Sequence, residues 1–506
     1  MKIGIDLGTT YSAAAYLDEN GNPHIIPNRD GEPTTPSVVL FEGGSVVVGQ
    51  EAKDNSSMNP FNVVDFVKRQ MGNPNYTFIN EADESYTPED ISAIILKRIK
   101  ADCEAFLNEE IEAAVITVPA YFGDAERKAT MDAGRLAGLN VLGVINEPTA
   151  AALAFGMSKK VENQQVMIYD LGGGTFDVTL VKISNGQFEV KATHGDKQLG
   201  GFNFDNELMM YVQRTVKDET GVDIDDDPEL MQDIRIKCEK AKRALSARTE
   251  YSFTVKAGSK GVKVRITRQQ FEELIRPVIE ATEVSIDVVM EEAGVSAKDI
   301  DKVLLVGGST RVPAVREFVQ RKLNIVPSTE VNPDEAVAIG AAYYANDLDA
   351  TAKGEDDPVT SSTPEKRFTD VNSHGLGVAI RDSASGEMIN SIIIPRNTKL
   401  PVQMENVYAT SVDNQTMIRL SITEGDETDL RYVNQIGVTE VPISPRPAGS
   451  PIKIGFNLDE NAIIHVYMID LVDQRVLCES VVERNANLSD EELAIKERRM
   501  NNIDPQ

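Results

Sequence analysis

Short apolar runs separated by glycine and polar turns recur through the first two thirds of the chain. Such runs are typical of buried strands. The run at 113–118 is followed by a polar helical stretch through 127–134 and then by a second run at 141–145. Apolar residues at helical spacing also mark 91–99 as a helix that begins after an N-cap at Thr87. This alternation of strands and helices predicts an α/β architecture.

One turn, at residues 170–177, carries three consecutive glycines between two apolar runs. The runs at 166–169 and 178–181 predict a strand on either side. Consecutive glycines let the backbone approach a ligand closely, and their N–H groups can form a concavity that binds anions. Asp170 and Asp177 flank this concavity, and Mg²⁺ prefers oxygen ligands while keeping several waters. The turn therefore predicts a site for a magnesium–nucleotide complex.

The chain opens with a second copy of this pattern. Apolar residues at 3–5 precede Asp6, a Leu-Gly turn and two threonines, and a second apolar run follows. Two such hairpins predict two related half-domains that face each other across one nucleotide. The alternative is that each Asp-Leu-Gly is an ordinary turn, since Asp and Gly are common there; finding both copies makes this alternative the weaker one.

A predicted helix at 231–247 carries polar residues on one face. Glu239, Lys242, Arg243 and Ser246 fall at i, i+3, i+4 and i+7. Taken alone, this pattern is more typical of a solvated charged surface. The alternative is a polar clamp on a nucleoside, with basic stems along the base and Glu and Ser on the ribose hydroxyls. A third glycine turn, at 307–308, follows an apolar run and is placed to pack beside the same nucleoside.

Composition excludes several classes of function. The chain has 506 residues, a net charge of −29 and a pI near 4.6, which argues against nucleic acid or an anionic membrane as the main partner. Its 3 cysteines and 4 histidines are scattered, so neither a disulfide framework nor a zinc site is predicted. No apolar run is long enough to span a bilayer, and Met1-Lys2 leads directly into the first strand motif. These features predict a cytoplasmic protein without a signal peptide.

The composition changes after residue 345. Residues 346–367 are rich in Asp, Thr, Ser, Glu and Pro and predict a linker. Beyond them, short strands at the spacing of a β-sandwich are predicted at 376–380, 389–394, 415–423, 452–458, 462–469 and 475–482. A capping box, Ser489 with Glu492, opens a last helix that is predicted to reach about Met500. The predicted units are 1–346, a linker at 347–370, a sandwich at 371–485 and a helical tail at 486–506.

Six motifs in order now identify a family. The motifs stand at 5–10, 118–122, 146–152, 170–177, 306–311 and 332–336. Together they resemble the DnaK-type, seventy-kilodalton heat-shock chaperones, and the resemblance covers nearly the whole chain. It implies an α/β two-lobed actin-like ATPase domain followed by an all-β sandwich peptide-binding domain. The implied function is that of an ATP-dependent chaperone in which slow ATP hydrolysis governs the binding and release of extended hydrophobic polypeptide segments.

The resemblance also implies roles for individual residues. The implied catalytic residues are Lys68, Glu147, Asp170, Thr175 and Asp177: Lys68 would reach the γ-phosphate, and Glu147, Thr175 and Asp177 would orient the attacking water and the waters of the metal. Asp6 and Asp170 would hold Mg²⁺ through its water shell. The other implied nucleotide-binding residues are Gly8, Thr9, Thr10, Tyr11, Gly172, Gly173, Gly174, Gly200, Gly201, Glu239, Lys242, Arg243, Ser246, Gly307, Gly308, Ser309, Arg311 and Asp334. The implied cofactors are ATP or ADP with Mg²⁺, and K⁺ is a further candidate.

For the sandwich, the resemblance implies a cleft that holds an extended peptide through backbone hydrogen bonds and apolar pockets. The residues it places there are Leu376, Val378, Tyr408, Ser411, Gln415, Ile418 and Leu420. A plain sandwich core explains the aliphatic members equally well. The implied partners are unfolded or extended polypeptides, a J-domain co-chaperone and a nucleotide exchange factor.

The sequence departs from the family pattern at six places. The leucine-rich linker is replaced at 365–369, with only Asp370-Val371 kept, which predicts weaker coupling between domains. Gly143 stands where a basic residue for the J-domain co-chaperone is usual, and Met131 replaces a lysine nearby. The turn at 256–263 is short, which leaves exchange-factor recognition open. Phe202-Asn203 replaces acidic residues, and the lid is absent or rudimentary, which predicts faster release of peptide.

Two other classes of protein remain as alternatives. A sugar or small-molecule kinase on the same fold would need an acceptor pocket with a base and would give residues 371–485 no role. A polymerising structural ATPase is the other alternative.

Overall fold

The computed structural model describes residues 1–159, 163–258, 260–352, 368–382, 384–481 and 488–506. Most of the linker predicted at 347–370, including the replaced stretch as far as residue 367, lies outside these residues. The same is true of the predicted boundary between the sandwich and the tail at 485–486, and of residue 259 in the turn at 256–263.

The first lobe is built around a mixed sheet in the order β11-β10-β1-β2-β3, with β4 on β2. Strands β1, β10 and β11 run parallel, whereas β1 and β2 form the first predicted hairpin. The strands of this lobe are β1 (Lys2–Asp6), β2 (Tyr11–Leu17), β3 (Pro23–Ile26), β4 (Thr35–Pro36), β5 (Val39–Glu42), β6 (Ser45–Val48), β7 (Val63–Val64), β8 (Phe78–Ile79), β9 (Ser85–Tyr86), β10 (Ala113–Val118) and β11 (Val141–Asn146). Its helices are α1 (Gln50–Asn55), α2 (Pro88–Leu107) and α3 (Asp124–Leu136), with a 3-10 turn at Val67–Gln70.

The second lobe is built around a sheet in the order β17-β12-β13-β14-β18. Helices α4 (Glu147–Lys159) and α10 (Ala336–Ala352) pack between the two sheets, because small residues such as Ala150 and Ala341 let the backbones approach. The strands are β12 (Asn163–Leu171), β13 (Phe176–Ser184), β14 (Gln187–Asp196), β15 (Glu250–Ala257), β16 (Lys260–Thr267), β17 (Lys302–Val306) and β18 (Phe368–Thr369). The remaining helices are α5 (Gly201–Thr220), α6 (Pro228–Ala247), α7 (Arg268–Ala281), α8 (Glu283–Glu292) and α9 (Pro313–Leu323), with 3-10 turns at Ala297–Asp299 and Gly308–Arg311.

The last third forms two four-stranded antiparallel sheets, in the orders β20-β19-β22-β23 and β21-β24-β25-β26. Their facing sides bury one apolar core that includes Phe456, Ile394 and Met468. This arrangement is a β-sandwich, as the sequence predicts. The strands are β19 (Leu376–Arg381), β20 (Met388–Ile394), β21 (Val402–Ala409), β22 (Gln415–Glu424), β23 (Asn434–Arg446), β24 (Pro451–Leu458), β25 (Ile464–Asp470) and β26 (Arg475–Val481), with a 3-10 turn at Leu430–Tyr432.

The sandwich lies directly against the two lobes. Strand β18 adds to the second lobe's sheet through Phe368 and Thr369, which pair with β14. Asp370 accepts a 2.7 Å hydrogen bond from the Asn146 side chain at the end of β11. Asn461 in the β24–β25 turn accepts a 3.2 Å hydrogen bond from the backbone N–H of Val144. The sandwich is therefore joined to both lobes, through strand pairing with the second lobe and side-chain hydrogen bonds with the first.

The last helix, α11 (Asp490–Met500), packs on α2 and α3 of the first lobe. Its capping box forms as predicted, with Ser489 N donating to Glu492 at 2.9 Å. Met500 is 1% exposed and belongs to the hydrophobic core of the first lobe. Lys496 pairs with the buried Asp90 on α2. Residues 504–506 then extend the edge of β6 through two backbone hydrogen bonds, from 506 N to Val46 O and from Val48 N to 506 O, of 2.8 and 3.0 Å.

Candidate nucleotide-binding site

The two glycine hairpins meet face to face between the lobes. A Cβ at Gly173 would lie 1.8 Å from Thr10 Oγ1, so the second hairpin approaches the first more closely than any side chain permits. Asp6 and Asp170 lie at the ends of β1 and β12, which are inner strands of their sheets. Each lobe therefore contributes one turn and one acidic side chain to the same space.

A cavity of about 270 Å³ lies between these hairpins. It brings together most of the residues that the sequence singles out for catalysis and nucleotide binding. These residues are Asp6, Gly8, Thr9, Thr10, Tyr11, Lys68, Glu147, Asp170, Gly172, Gly173, Thr175, Glu239, Lys242, Arg243, Ser246, Gly307, Gly308, Ser309, Arg311 and Asp334.

Four of the predicted residues lie just behind the wall of this cavity. Gly174, Gly200 and Gly201 support the glycine turn, and Gly201 N donates to Gly172 O at 3.0 Å. Asp177 is 1% exposed and accepts hydrogen bonds from the backbone N–H groups of Ala120 and Tyr121 at 3.2 and 3.1 Å. Asp177 is therefore fixed by the backbone that follows β10.

Lys68 is the cation at the centre of the acidic cluster. Its side chain is 4% exposed, its ammonium pairs with Glu147, and it donates to Leu7 O at 2.6 Å. The 3-10 turn at Val67–Gln70 holds it, and this turn begins after Phe66, whose φ of 53° lies in the left-handed region. A non-glycine residue rarely adopts this conformation, and such strain is typical of functional sites.

Buried carboxylates outnumber the cations around this lysine. Burial, followed by the charge of Glu147, raises the pKa of Asp6 to about 7, while the Lys68 charge opposes this rise. Burial and Glu147 likewise raise the pKa of Asp177 to about 7. The pKa of Asp170 is raised well above its ordinary value, mainly by burial and then by Glu147 and Asp177. The cluster therefore has an excess of negative charge that a bound cation would relieve.

The polar face of α6 lies on the cavity, and its role in binding a nucleoside stays a prediction. Glu239 pairs with Lys53 from the first lobe at 2.6 Å and accepts a hydrogen bond from the Tyr11 hydroxyl at 3.1 Å. Arg243 donates to the same hydroxyl at 2.8 Å. Lys242 forms an ion pair with Asp205 at 2.7 Å within the second lobe. The Glu239 and Lys242 side chains are only 12% and 13% exposed, whereas Arg243 on the same face is exposed.

Several residues of the site were not predicted from the sequence. Lys53 lies on a short helix with no recognisable motif, and it reaches the site only because the lobes close over it. Apolar and small residues also line the cavity, and their types carry no chemical signal. They are Ala13, Thr34, Val306, Val312, Pro333 and Val337.

Three residues implied for the peptide cleft are buried inside the sandwich. Leu376, Val378 and Leu420 are at most 2% exposed and pack in the core between the two sheets. Ile418 is partly buried and packs against the same core. These four residues agree with the sandwich-core alternative in this conformation, and their role in a peptide cleft stays a prediction.

The remaining three lie closer to the surface of the sandwich. The Tyr408 hydroxyl is 3.0 Å from Ser391 Oγ, which joins strands of the two sheets. Gln415 accepts a 2.9 Å hydrogen bond from the backbone N–H of Ser411, which shapes the turn between β21 and β22. Their part in peptide binding also stays a prediction.

The close approach of the sandwich explains why glycine is suited to position 143 in this conformation. A Cβ at this position would lie 2.8 Å from Asn461 Oδ1 in the sandwich. Met131, the other position where a basic residue is usual, packs against the core of the first lobe. Glycine at 143 therefore lets the sandwich approach the edge of the first lobe's sheet.

The fold and the cleft define a class of protein: an actin-like ATPase domain followed by an all-β sandwich. The family model described as Hsp70 protein matches residues 2–504. Over 481 residues, the chain is 42% identical to the chaperone protein DnaK of Thermotoga neapolitana and 41% identical to that of Thermotoga petrophila. Each match covers 93% of this chain and 78% of the relative.

The chain belongs to the Hsp70 family of ATP-dependent molecular chaperones. The resemblance inferred from the six motifs is thereby confirmed, and neither the kinase nor the polymerising ATPase is favoured. Among the described residues, no helix combines the length and the apolar character that a membrane crossing requires.

Proposed function

We propose that this protein binds and slowly hydrolyses ATP between its two lobes and uses the change of nucleotide to control how its sandwich holds extended polypeptides. The observation that carries this proposal is the single cavity to which both glycine hairpins, the buried acids and Lys68 contribute. Hydrolysis here is in-line phosphoryl transfer to water, which depends mainly on positioning and electrostatic stabilisation.

Within this proposal, Lys68 carries the positive charge nearest the transferred phosphoryl group. An ammonium has three N–H donors, and the described contacts of Lys68 use two of them, to Leu7 O and Glu147. Glu147, Thr175 and Asp177 orient the attacking water, Glu147 and Thr175 from the cavity lining and Asp177 from just behind it. Two backbone N–H groups fix the Asp177 carboxylate there.

The residues of the cleft fit Mg²⁺ as well as nucleotide. Asp170 is buried and Asp6 is half-buried, and both have raised pKa values, so a divalent cation would supply the missing positive charge. Among the described residues, no three His, Cys, Asp or Glu side chains converge closely enough to hold a metal directly. This suits a hydrated ion held through water by these two carboxylates. When bound, Mg²⁺ neutralises phosphate charge; K⁺ is a further candidate ion for the same cleft.

The linker strand is the proposed route from the cleft to the sandwich. Asn146, which binds Asp370 of the linker, directly precedes Glu147 in the cleft. Arg127 donates to the other side of Asn146 and is itself buried. A shift of Glu147 on nucleotide exchange therefore reaches the linker through one neighbouring residue.

The partners proposed for this chain are unfolded or extended polypeptides. A J-domain co-chaperone and a nucleotide exchange factor are further proposed partners. Gly143, which stands where a basic residue for the J domain is usual, faces the sandwich in this conformation. The proposed location is the cytoplasm.

Phosphate release with Mg·ATP, together with the anisotropy of a fluorescent peptide with and without ATP, tests the proposal. We expect slow phosphate release and faster dissociation of the peptide when ATP is added. Asp170→Asn should abolish both effects. Phosphate release without any change in peptide dissociation would leave the ATPase but remove the coupling, and phosphate transfer to a sugar would replace the proposal with the kinase.

A further inference from the structure

Phe202 is a large aromatic residue at a place where the family pattern predicts an acidic one, and the nucleotide chemistry does not account for it. It lies in the first turn of α5, immediately after the Gly200-Gly201 pair that supports the glycine hairpin. Its backbone N–H donates to Gly173 O at 2.7 Å. A displacement of Phe202 would therefore also displace the glycine hairpin that is proposed to bind phosphate.

The side chain of Phe202 reaches across the cleft to the first lobe. Its ring meets the Phe66 ring edge-on, with centroids 4.8 Å apart and an angle of 70°. The Arg69 guanidinium lies over the Phe202 ring at 4.4 Å from its centroid. Edge-to-face aromatic pairs and cation–π contacts are both attractive, and desolvation strengthens the latter.

A second arginine, from the second lobe, completes the arrangement. The Arg235 guanidinium lies 4.9 Å from the centroid of the Phe202 ring and 5.9 Å from that of Phe66. We call Phe66, Arg69, Phe202 and Arg235 the aromatic clamp. Two of its members come from each lobe, so the contact exists only while the lobes are closed.

Arg69 ties the clamp to the phosphate side of the cleft. Its Nη2 donates to the backbone oxygen and the side-chain oxygen of Gln198 in the second lobe, each at 2.7 Å. Its Nε is buried and has no hydrogen-bond partner in the described structure, as suits a guanidinium that lies against a ring. Its stem passes over the glycine hairpin, because a Cβ at Gly174 would lie 3.0 Å from Arg69 Cγ and Cδ.

The clamp also flanks the catalytic lysine. Phe66 and Arg69 stand on either side of Val67-Lys68, and the left-handed φ of Phe66 is what turns its ring and the following 3-10 turn into place. Closing the clamp thus brings the lysine of one lobe and the glycine hairpin of the other to a fixed separation.

We propose that Phe202 is a positioning residue, held by Arg69 and Phe66 of the first lobe and by Arg235 of the second, that keeps the lobes closed beside the glycine hairpin and thereby slows the release of nucleotide. Its kinetic consequence rests on the proposed nucleotide function, whereas the closure itself does not. The clamp is a feature of this sequence, since an acidic side chain at 202 would pair with the arginines but would offer no ring to Phe66.

The test compares Phe202→Leu, which removes the ring but keeps an apolar side chain, with Phe202→Tyr, which keeps the ring. A cavity of about 300 Å³ beside Phe202 leaves room for the added hydroxyl. Release of a fluorescent ADP analogue is measured by chasing with unlabelled ADP. We expect Phe202→Leu to release it about tenfold faster, the scale for loss of two partly desolvated cation–π contacts. Phe202→Tyr should stay within about twofold of the parent.

A second variant and a matched control complete the kinetic experiment. Arg235→Met keeps much of the side-chain length but removes one guanidinium, so an increase of about threefold is expected. Phe61→Leu is the control, because Phe61 lies on the same lobe as Phe66 and is 60% exposed; its release rate should equal that of the parent.

A nucleotide-free measurement separates this inference from the proposed function. Spin labels at the exposed positions Asn75 and Glu219, one in each lobe, report the distribution of distances between lobes in the full chain. Phe202→Leu should broaden this distribution toward longer distances, and Phe202→Tyr should not. If the parent binds no ADP, the proposed function fails and this distribution alone decides the clamp. An unchanged distribution, or release from Phe202→Leu within about twofold of the parent, would overturn the inference.

Discussion

Replacing Lys68 with alanine is the sharpest perturbation of the proposed chemistry. Lys68 is 4% exposed and is the cation paired with Glu147 among the buried acids. Its charge also opposes the rise in the pKa of both Asp6 and Asp177. Removal of one preorganised charge-stabilising group from such a site typically costs about 2.7–4 kcal/mol of transition-state stabilisation. We therefore expect Lys68→Ala to lower the rate of ATP hydrolysis by roughly 10²–10³-fold.

The assay is a single turnover of ATP by excess protein, with Mg·ADP affinity measured separately. Affinity for ADP should change less than the rate, because ADP lacks the phosphoryl group that Lys68 is proposed to contact. Lys217→Ala is the matched control, since Lys217 lies on the surface and pairs with the exposed Asp223. Hydrolysis by Lys68→Ala within about tenfold of the parent would refute the reasoning, because a lysine that supplies less than about 1.4 kcal/mol does not stabilise the transition state as argued.

Three further predictions concern the linker, the tail and the sandwich. Burial raises the pKa of Asp370 to about 6, so the docked linker binds more protons than the free linker. Docking should therefore weaken as pH rises from about 4 to 6 and level off above 7. Energy transfer between the domains measures this pH dependence, which Asp370→Asn should remove. Met500→Ala should lower the free energy of unfolding of the first lobe by about 2–5 kcal/mol, whereas Ile495→Ala, at a position 61% exposed on the same helix, should change it by less than about 0.5 kcal/mol; urea unfolding with hydrogen exchange on α2 measures both. If Ile418 lines the peptide cleft, Ile418→Ala should weaken peptide binding about tenfold by anisotropy, against Val438→Ala on the neighbouring strand as control, and an unchanged affinity would remove Ile418 from the cleft.

Local chemistry allowed the residues of the proposed nucleotide cleft to be predicted from the sequence. Each hairpin is recognisable from an apolar strand followed directly by an aspartate and glycine. The polar face of α6 is predicted by helical spacing alone. The starts of two helices were also predicted from local sequence, since the N-cap at Thr87 and the capping box at Ser489 both form at the predicted residues. The role of Lys53 was not predicted from the sequence, because its contact with Glu239 depends on how the two lobes close.

Long-range pairing explains the elements that were missed. Strand β21 was missed because Gln403, Glu405 and Asn406 interrupt its apolar residues, and β23 contains prolines that weaken a strand prediction. The pairing of β18 with β14 joins segments far apart in the sequence, with no local signal. The position of α11 on the first lobe was likewise beyond local reasoning, because Met500 looks like any apolar helix residue until it meets that core.

The position of Mg·ADP in a crystal structure of the complex tests the central claim most directly. The account predicts phosphates within hydrogen-bond distance of both Thr10 and the backbone at 172–174, with the adenosine beside Glu239 and Ser246. A nucleotide that touches only one lobe, or that binds outside this cleft, would contradict it.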